Sequence, residues 1–315
     1  MRILFLGTPE FAVPTLKELI AAPGFDVVAV VTQPDRPAGR GNKVQSPPTK
    51  LLAIEHGIPV FQPTSLSKSP EMVAQLKELA PDYTVMVAFG QILRKSMLEM
   101  PQNGVVNIHA SLLPKYRGAA PINWAIINGD TVSGITTMFT EAGVDSGPIL
   151  LKQEVSIGAD MNAEELAHEL SQVGAKLLIE TIVRLENGDL LPEVQDHTQS
   201  SLAPMLNKEM GKIDWTLPAL TIHNLVRGLY PWPGTHTNFG ETPLKIVRTN
   251  PIGTAGVGKV PGSVIVAESK ILVACGAEGG DRLELVSVQP ANKGRMSARD
   301  WANGVRIQPS DVLGG

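Results

Sequence analysis

The chain contains little of several residue types that would mark it for particular functions. Among its 315 residues there is one cysteine, Cys275, and aromatic side chains make up only 4% of the sequence. One cysteine excludes an internal disulfide and a cysteine-rich zinc site, and the scarcity of aromatics argues against broad base-stacking platforms. Cys275 ends the apolar stretch 270–275, which is typical of a core position. The six histidines show no paired ligand spacing, so we expect no metal site.

Long apolar runs are also missing. None approaches the ~18 residues that a membrane span needs. Glu10, Lys17 and Glu18 interrupt the apolar N-terminal stretch within the length of a signal-peptide core. We therefore expect a soluble monomer without membrane contact, located in the cytoplasm or in the interior of an organelle.

A dinucleotide-binding fingerprint is absent as well. The first expected strand ends at Gly7 and is followed by Thr-Pro-Glu-Phe, whereas Gly-x-Gly-x-x-Gly would supply two more glycines at this turn. This departure argues against a nicotinamide-dependent reaction. The turn could still offer backbone N–H groups to an anion at the start of a helix.

The first part of the sequence alternates apolar runs with helical stretches. Continuous β-branched runs separated by helices are typical of a mostly parallel sheet covered on both faces. We predict a Rossmann-like α/β domain over residues 1–188. Its expected strands lie at 2–7, 26–32, 59–61, 83–89, 104–109 and 135–139, and its expected helices at 11–22, 51–56, 71–79 and 163–187.

The pattern changes beyond residue 188. Residues 189–207 are polar and contain proline, which predicts a linker. A helix at 217–228 and several short strands after it predict an OB-like β-barrel domain over 208–315. Residues 1–204 carry 15 basic and 22 acidic side chains, a net charge of −7, whereas residues 205–315 carry 12 and 9, a net charge of +3. This asymmetry permits contact of the C-terminal part with a polyanion.

Candidate reactive side chains lie at the end of one expected strand. Asn107 and His109 alternate along an otherwise apolar run, so their side chains share a face. Burying both without partners would cost ~1–3 kcal/mol each, and ligands of open α/β sheets bind at the carboxyl ends of strands. Spacing alone leaves a catalytic and a structural role equally open. Asp145 lies in a glycine-bounded loop, where a turn-forming aspartate is the default interpretation.

Taken together, these residues resemble the 10-formyltetrahydrofolate-dependent formyltransferases. The pattern Asn107-x-His109 is followed by Ser-Leu-Leu-Pro at 111–114 and by Arg-Gly-Ala-Ala-Pro at 117–121, with Asp145 further along. The similarity covers nearly the whole chain. The stretch Thr-Gln-Pro-Asp-Arg-Pro-Ala-Gly-Arg-Gly that ends at Gly41 is similar to that of the tRNA-modifying members of the family.

The resemblance implies transfer of a formyl group from 10-formyltetrahydrofolate to a free amino group, through a tetrahedral intermediate. Asn107 and a protonated His109 would donate hydrogen bonds to the oxyanion of this intermediate. Asp145 would accept the proton that the attacking amine loses, and would keep His109 protonated. No metal and no covalent enzyme intermediate is required.

The resemblance also implies two binding regions. The folate would be walled by Ser111, Leu112, Leu113 and Pro114, and would receive backbone groups from Phe89, Gly90, Gln91 and Ile92. Arg40, Gly41 and Lys43 would meet the acceptor end of initiator methionyl-tRNA, since glycines let a loop order on binding and basic side chains contact phosphates. A solvated surface loop is the alternative interpretation of residues 33–43.

Two other functions stay open at this point. A formyltransferase acting on a small amine, such as a ribonucleotide or a nucleotide-linked amino sugar, would share the Asn-His-Asp set but would not explain the 33–43 loop or the basic C-terminal part. A non-catalytic nucleic-acid-binding module would need no aligned Asn, His and Asp.

Overall fold

The computed structural model forms two compact units. The first comprises residues 1–118, 133–155 and 167–203, and the second residues 119–132, 156–166 and 204–315. The structure describes residues 1–38, 43–254, 258–268, 270–308 and 310–314. Within these ranges no helix combines the length and the apolarity needed to cross a membrane.

A seven-stranded sheet organises the first unit, in the order β10-β9-β7-β6-β1-β2-β5. Its strands are β1 (Arg2–Gly7), β2 (Asp26–Val31), β5 (Val60–Phe61), β6 (Tyr83–Val87), β7 (Val105–His109), β9 (Val132–Phe139) and β10 (Ile149–Ser156). All neighbours from β7 to β5 are parallel, and β9 is antiparallel to β7. After β1, the chain adds β2 on one side of this strand and later adds β6 on its other side. The direction in which strands are added to the sheet therefore reverses between β1 and β6. Ligands of such sheets bind at the carboxyl ends of the strands beside this reversal.

Proline marks the start of several helices, because it lacks the N–H that the first helical turn leaves unbonded. It stands in the first turn of α2, α3 and α5 as Pro48, Pro70 and Pro121. The long helix α6 begins with a capping box in which Asn162 Oδ1 accepts from the backbone N–H of Glu165 and Glu165 Oε2 accepts from that of Asn162. The helices are α1 (Val13–Ala21), α2 (Pro48–Glu55), α3 (Pro70–Glu78), α4 (Lys95–Leu98), α5 (Pro121–Ile127), α6 (Ala163–Glu186), α7 (Ala219–Gly228) and α8 (Ala298–Val305).

An antiparallel sheet organises the second unit, in the order β12-β13-β16-β15-β14 with β17 beside β16. Its strands are β12 (Thr235–Phe239), β13 (Thr242–Thr254), β14 (Val264–Ala267), β15 (Lys270–Cys275), β16 (Asp281–Pro290) and β17 (Met296–Ser297). Residues 311–314 join its two edges. Leu313 bridges to Phe239 at the β12 edge, and Val312 bridges to Ser263 beside β14. The sheet is thereby closed into a small barrel.

Both units have apolar cores. Cys275 is fully buried in the core of the second unit, and burial raises the pKa of its thiol to about 11, as expected for an unreactive core cysteine. The core beneath the end of β6 includes these buried residues: Leu4, Leu6, Ala29, Val31, Leu66, Leu76, Phe89, Leu93, Met97 and Val105. The predicted class, a Rossmann-like mostly parallel sheet followed by an OB-like β domain, is confirmed.

The polar stretch that the sequence presents as a linker is in part an ordered piece of the first unit. Glu193 forms a bridge with Ile149 of β10. Strand β11 (Leu202–Ala203) pairs in parallel with β8 (Arg117–Gly118). The second unit resumes at Pro204. Residues 193–203 therefore run along the loops that follow β7 and β9.

Candidate active site

Asn107 and His109 both lie on β7 and are buried, with 7% and 6% of their surface exposed. Asn107 pairs in register with Met86 of β6 and with Met138 of β9. Its side-chain amide has no hydrogen-bond partner among the residues that the structure describes. Because the amide atoms are not fully buried either, they can donate to and accept from a ligand.

His109 is held in one orientation. Its Nε2 lies 2.9 Å from the carbonyl oxygen of Tyr116, which can only accept, so Nε2 carries a proton and donates it there. The other ring nitrogen, Nδ1, lies 3.6 Å from Oδ2 of Asp145. This distance exceeds that of a direct hydrogen bond, so neither group is committed to the other and a substrate atom or a water beside the pair can contact both. Nδ1 is therefore the ring nitrogen that can exchange a proton.

Asp145 comes from the 140–148 loop, which joins β9 to β10. Its Oδ2 accepts a hydrogen bond of 2.9 Å from the backbone N–H of Gly118. Its backbone is left-handed, with φ of 45°, a conformation that non-glycine residues adopt at a cost and that is often found at functional sites. The side chain is 18% exposed, so a substrate can reach it.

Gly147 makes the tight return of this loop possible. A Cβ at this position would lie 2.0 Å from the carbonyl oxygen of Phe139, far inside contact distance. The neighbouring backbone is part of β9 and cannot give way as a flexible side chain would. The 140–148 loop therefore requires glycine at 147.

Replacing Gly147 with alanine is expected to lower the free energy of unfolding by ~1–3 kcal/mol through overpacking against Phe139. Chemical denaturation of the two proteins measures this difference. Gly304→Ala is the control, because a Cβ there meets no atom within 4 Å. Equal stability of the Gly147 and Gly304 variants would contradict the steric argument.

The turn after β7 is fixed by its own hydrogen bonds. Ser111 Oγ donates to the carbonyl of Lys115 at 2.7 Å. Thr136 Oγ1 donates to the carbonyl of Ser111 at 2.6 Å and accepts from the N–H of Leu113 at 3.1 Å. Leu113 is fully packed, whereas Leu112 and Pro114 are partly exposed. Of the four residues expected to wall the folate, Leu112 and Pro114 therefore have surface available for contact.

The segment after β6 lies beside this turn, because Val87 is in register with Ile108 of β7. Phe89 is buried in the core, and its carbonyl accepts from Gln33 Nε2 at 3.1 Å. Gln91 is tied to the preceding chain, accepting from Leu66 N–H and donating to Pro63. What remains open to a ligand is Gly90, with φ of 79°, and the side chain of Ile92, which is 82% exposed.

The loop expected to meet tRNA begins and ends as a two-stranded hairpin of β3 (Arg36–Ala38) and β4 (Lys43–Gln45). Arg40 and Gly41 lie outside the described residues, and of Lys43 the backbone position in β4 is described. The base of the hairpin is anchored by Asp35. Its carboxylate accepts from Gln62 Nε2 at 2.8 Å and from Lys50 Nζ at 2.7 Å, and these hydrogen bonds hold its pKa below the usual value.

Several positioning groups could not be identified from the sequence. The carbonyl of Tyr116 and the N–H of Gly118 are backbone atoms, which carry no sequence signal beyond their place in the 117–121 motif. Gln195 is a third, a buried residue within the expected linker. Among the residues described, no group of three or more histidine, cysteine or acidic side chains could hold a metal ion.

Comparison with known proteins shows which family the chain is similar to. Residues 1–182 match the family model "Formyl transferase", and residues 205–306 match "Formyl transferase, C-terminal domain". A methionyl-tRNA formyltransferase from Geobacter metallireducens is 50% identical over 315 residues, covering 100% of this chain and 99% of the relative. One from Ruminiclostridium cellulolyticum is 46% identical over 316 residues, covering 100% of each.

Solved structures show the same fold at lower identity. An N-formyltransferase from Helicobacter canadensis, in complex with folinic acid and dTDP-3-aminofucose, superposes with a TM-score of 0.68 at 21% identity, covering 91% of this chain and 98% of that one. WlaRD, a sugar 3N-formyl transferase, gives a TM-score of 0.68 at 19% identity, covering 93% and 99%. The full-length relatives at about half identity confirm the resemblance found in the sequence. This chain belongs to the formyl transferase family, among the methionyl-tRNA formyltransferases.

Proposed function

We propose that this chain transfers the formyl group of 10-formyltetrahydrofolate to the free amino group of initiator methionyl-tRNA, giving N-formylmethionyl-tRNA. The observation that carries the proposal is His109, fixed by the Tyr116 carbonyl on one side and facing Asp145 on the other, on the same strand as the unpartnered Asn107. Relatives named as methionyl-tRNA formyltransferases, similar over their whole length, support the acceptor.

The reaction needs a group that takes a proton from the attacking amine. Asp145 is partly exposed and lies 3.6 Å from His109 Nδ1, so an amine nitrogen or a water beside the pair can contact both groups. The Gly118 N–H holds the carboxylate in place. Asp145 acts as the base, and its carboxylate faces Nδ1 of His109.

The reaction also develops a negative charge on the formyl oxygen. Asn107 Nδ2 and, in the protonated imidazole, His109 Nδ1 can donate hydrogen bonds to this oxygen. Donors fixed before the reaction are worth ~3–4 kcal/mol each, because no reorganisation is needed when the charge forms. Strand β7 supplies that fixation, since Asn107 is in register with Met86 of β6 and Met138 of β9, and His109 with Thr136 of β9.

The bonds and protons balance without further reagents. The new bond joins the amine nitrogen to the formyl carbon, and the bond from that carbon to N10 of the folate breaks when the intermediate collapses. The amine loses one proton and N10 gains one, so the Asp145–His109 pair ends in its starting state. The folate supplies the activated formyl group and the protein supplies orientation, proton transfer and charge stabilisation.

The residues present fit a folate at the carboxyl ends of β6 and β7. The pterin would lie along Gly90 and Ile92, where the backbone is approachable and an apolar side chain is exposed. Leu112 and Pro114 would form the other wall. The Asn107 amide supports this placement, because it forms no hydrogen bond with the described residues and could therefore pair with the ligand.

The acceptor end of the tRNA would meet the β3–β4 hairpin through Arg40, Gly41 and Lys43, and its backbone would contact the basic C-terminal part. Arg40→Glu is expected to raise the KM for tRNA and to lower the slope of log affinity against log salt by ~1, because one phosphate contact is lost. The KM for folate should stay as it is. Steady-state assays across a salt series measure all three quantities.

Arg36→Glu is the matched control for Arg40→Glu. It makes the same change of charge at the exposed base of the hairpin, where Arg36 Nη2 donates to Gln33. If both variants weaken tRNA use equally, the effect is one of net charge and Arg40 makes no specific contact.

The decisive test supplies labelled 10-formyltetrahydrofolate with one acceptor at a time. Charged initiator methionyl-tRNA should be formylated, and free methionine, ribonucleotides and nucleotide-linked amino sugars should not. Turnover of a small amine at a rate above that of the tRNA would replace the acceptor in this proposal. Absence of transfer to every acceptor would refute it.

A further inference from the structure

Gln195 stands in a stretch that the sequence presents as a polar linker, yet it is 4% exposed and fully hydrogen-bonded. Its Nε2 donates to the carbonyl of Asp145 at 2.9 Å and to that of Gly147 at 2.7 Å. Its Oε1 accepts from Arg117 Nη2 at 2.6 Å and from Nε at 3.1 Å. One side chain thus connects the loop that carries Asp145 to the turn that orients His109.

The orientation of this amide is dictated by its surroundings. The guanidinium of Arg117 offers only donors, and the two loop carbonyls offer only acceptors. A flipped amide would place its NH2 against the guanidinium and its oxygen against the carbonyls. The side chain therefore bridges two surfaces of opposite character, a task for which a neutral amide with one donor end and one acceptor end is suited.

The rest of the 193–203 segment holds the same two pieces. Glu193 exchanges backbone hydrogen bonds of 2.8 Å with Ile149, just beyond the Asp145 loop. On the other side, the carbonyl of Ser201 accepts from Arg117 N–H at 2.8 Å, and Ser201 Oγ accepts from Tyr116 N–H at 2.9 Å. The segment is anchored at both ends and in the middle.

These contacts meet at the reacting pair. Tyr116 provides the carbonyl that orients His109, and Gly118 provides the N–H that holds the Asp145 carboxylate. Both belong to the turn that Arg117 fastens to Gln195. The distance between His109 Nδ1 and Asp145 Oδ2 is therefore set by a loop and a turn that contact each other through Gln195.

We infer that Gln195, with Arg117, is a positioning residue for formyl transfer: it sets the spacing of Asp145 and His109 without touching either substrate. The inference rests on the proposed function. A displacement of about 1 Å at a reacting group can cost ~10²-fold in rate, so loss of this link should reduce kcat and leave both KM values little changed.

Two substitutions separate the two ends of the amide. Gln195→Leu removes all four hydrogen bonds. Gln195→Glu keeps the acceptor end, with a charge-assisted bond to Arg117, but places a carboxylate oxygen against the carbonyls of Asp145 and Gly147. Both variants are expected to lower kcat by ~10–100-fold, and Gln195→Glu, which retains the Arg117 bond, is expected to stay folded.

Tyr83→Phe is the matched control. It removes a partly buried hydrogen bond of 2.8 Å from Tyr83 to Glu186 in the same unit, at the opposite end of β6 from the site. A variant that only weakens the fold lowers the melting temperature but not kcat, as Tyr83→Phe should. If the Gln195 variants behave like this control, the positioning role is overturned.

Hydrogen exchange separates this inference from the proposed function. In both Gln195 variants, and not in Tyr83→Phe, amides of the 140–148 loop should exchange faster than in the wild type. If wild-type protein formylates no acceptor, the proposed function fails while the exchange result still supports the link between segment and loop. Unchanged exchange in the loop, with or without activity, would refute the role of Gln195.

Discussion

Replacing Asp145 with asparagine is expected to lower kcat for formyl transfer by ~10²–10⁴-fold, the usual contribution of a positioned general base. The amide keeps an oxygen that can accept from Gly118 N–H, so the loop should hold its place. It cannot accept the proton of the amine, and it leaves the imidazole of His109 without a counter-charge. Single-turnover assays with labelled folate measure the effect directly.

Glu141→Gln is the appropriate comparison for Asp145→Asn. It removes one negative charge from the same loop at an exposed position. It therefore tests whether the loss of a negative charge from the loop is enough to lower kcat. The binding constant for folate should be the same in both variants, because Asp145 acts on the amine. Turnover near the wild-type value in Asp145→Asn would remove it from the mechanism.

Replacing Asn107 with leucine is expected to reduce kcat by ~10²–10³-fold, as loss of one oxyanion donor does. The same change should leave the melting temperature unchanged or raise it. Among the residues that the structure describes, the Asn107 amide has no hydrogen-bond partner, so an apolar side chain of similar size breaks no hydrogen bond of the fold. The loss of activity should therefore come without a loss of stability.

Thr84→Val provides the control for Asn107→Leu. Thr84 lies on the neighbouring strand β6, and its buried hydroxyl also has no partner. Its replacement should leave both kcat and stability at or above the wild-type level. A clear loss of stability in Asn107→Leu would instead place the amide among the groups that hold the fold.

The sheet of the first unit could be predicted because each strand carries its own signal. Continuous apolar runs indicated β1, β2, β6 and β7 to within one or two residues. Strand β10 was missed because only its first two residues are buried and the rest face solvent, as expected at the edge of a sheet. Helix α8 was also missed, although Ser297 caps its start, its Oγ accepting from the backbone N–H of Asp300.

The site was predictable in part. The period of a strand placed Asn107 and His109 on one face, but no local pattern brings Asp145 to the same place. Its distance from His109 depends on the left-handed backbone of Asp145 itself, on the missing side chain of Gly147 and on the hydrogen bond that Gln195 donates to the loop. These contacts involve backbone atoms, which a local sequence pattern does not reveal. Family resemblance supplied Asp145, whereas the residues that position it could be recognised only from their contacts.

The segment 193–203 shows why polarity misled the prediction. Its polar residues were interpreted as solvated linker positions, since most such residues lie at the surface. Gln195 is instead buried because both its donors and its acceptor are satisfied by the site. A polar residue in an apparent linker is worth testing for burial whenever the chain must return past a functional loop.

The last described residues of the chain close the barrel of the second unit, with Leu313 at one edge and Val312 at the other. A strand edge left open presents a row of unpaired N–H and C=O groups, which is a template for pairing with another chain. Residues 311–314 occupy both edges at once. This short segment therefore shortens the strand edges that would otherwise be open to pairing with another chain.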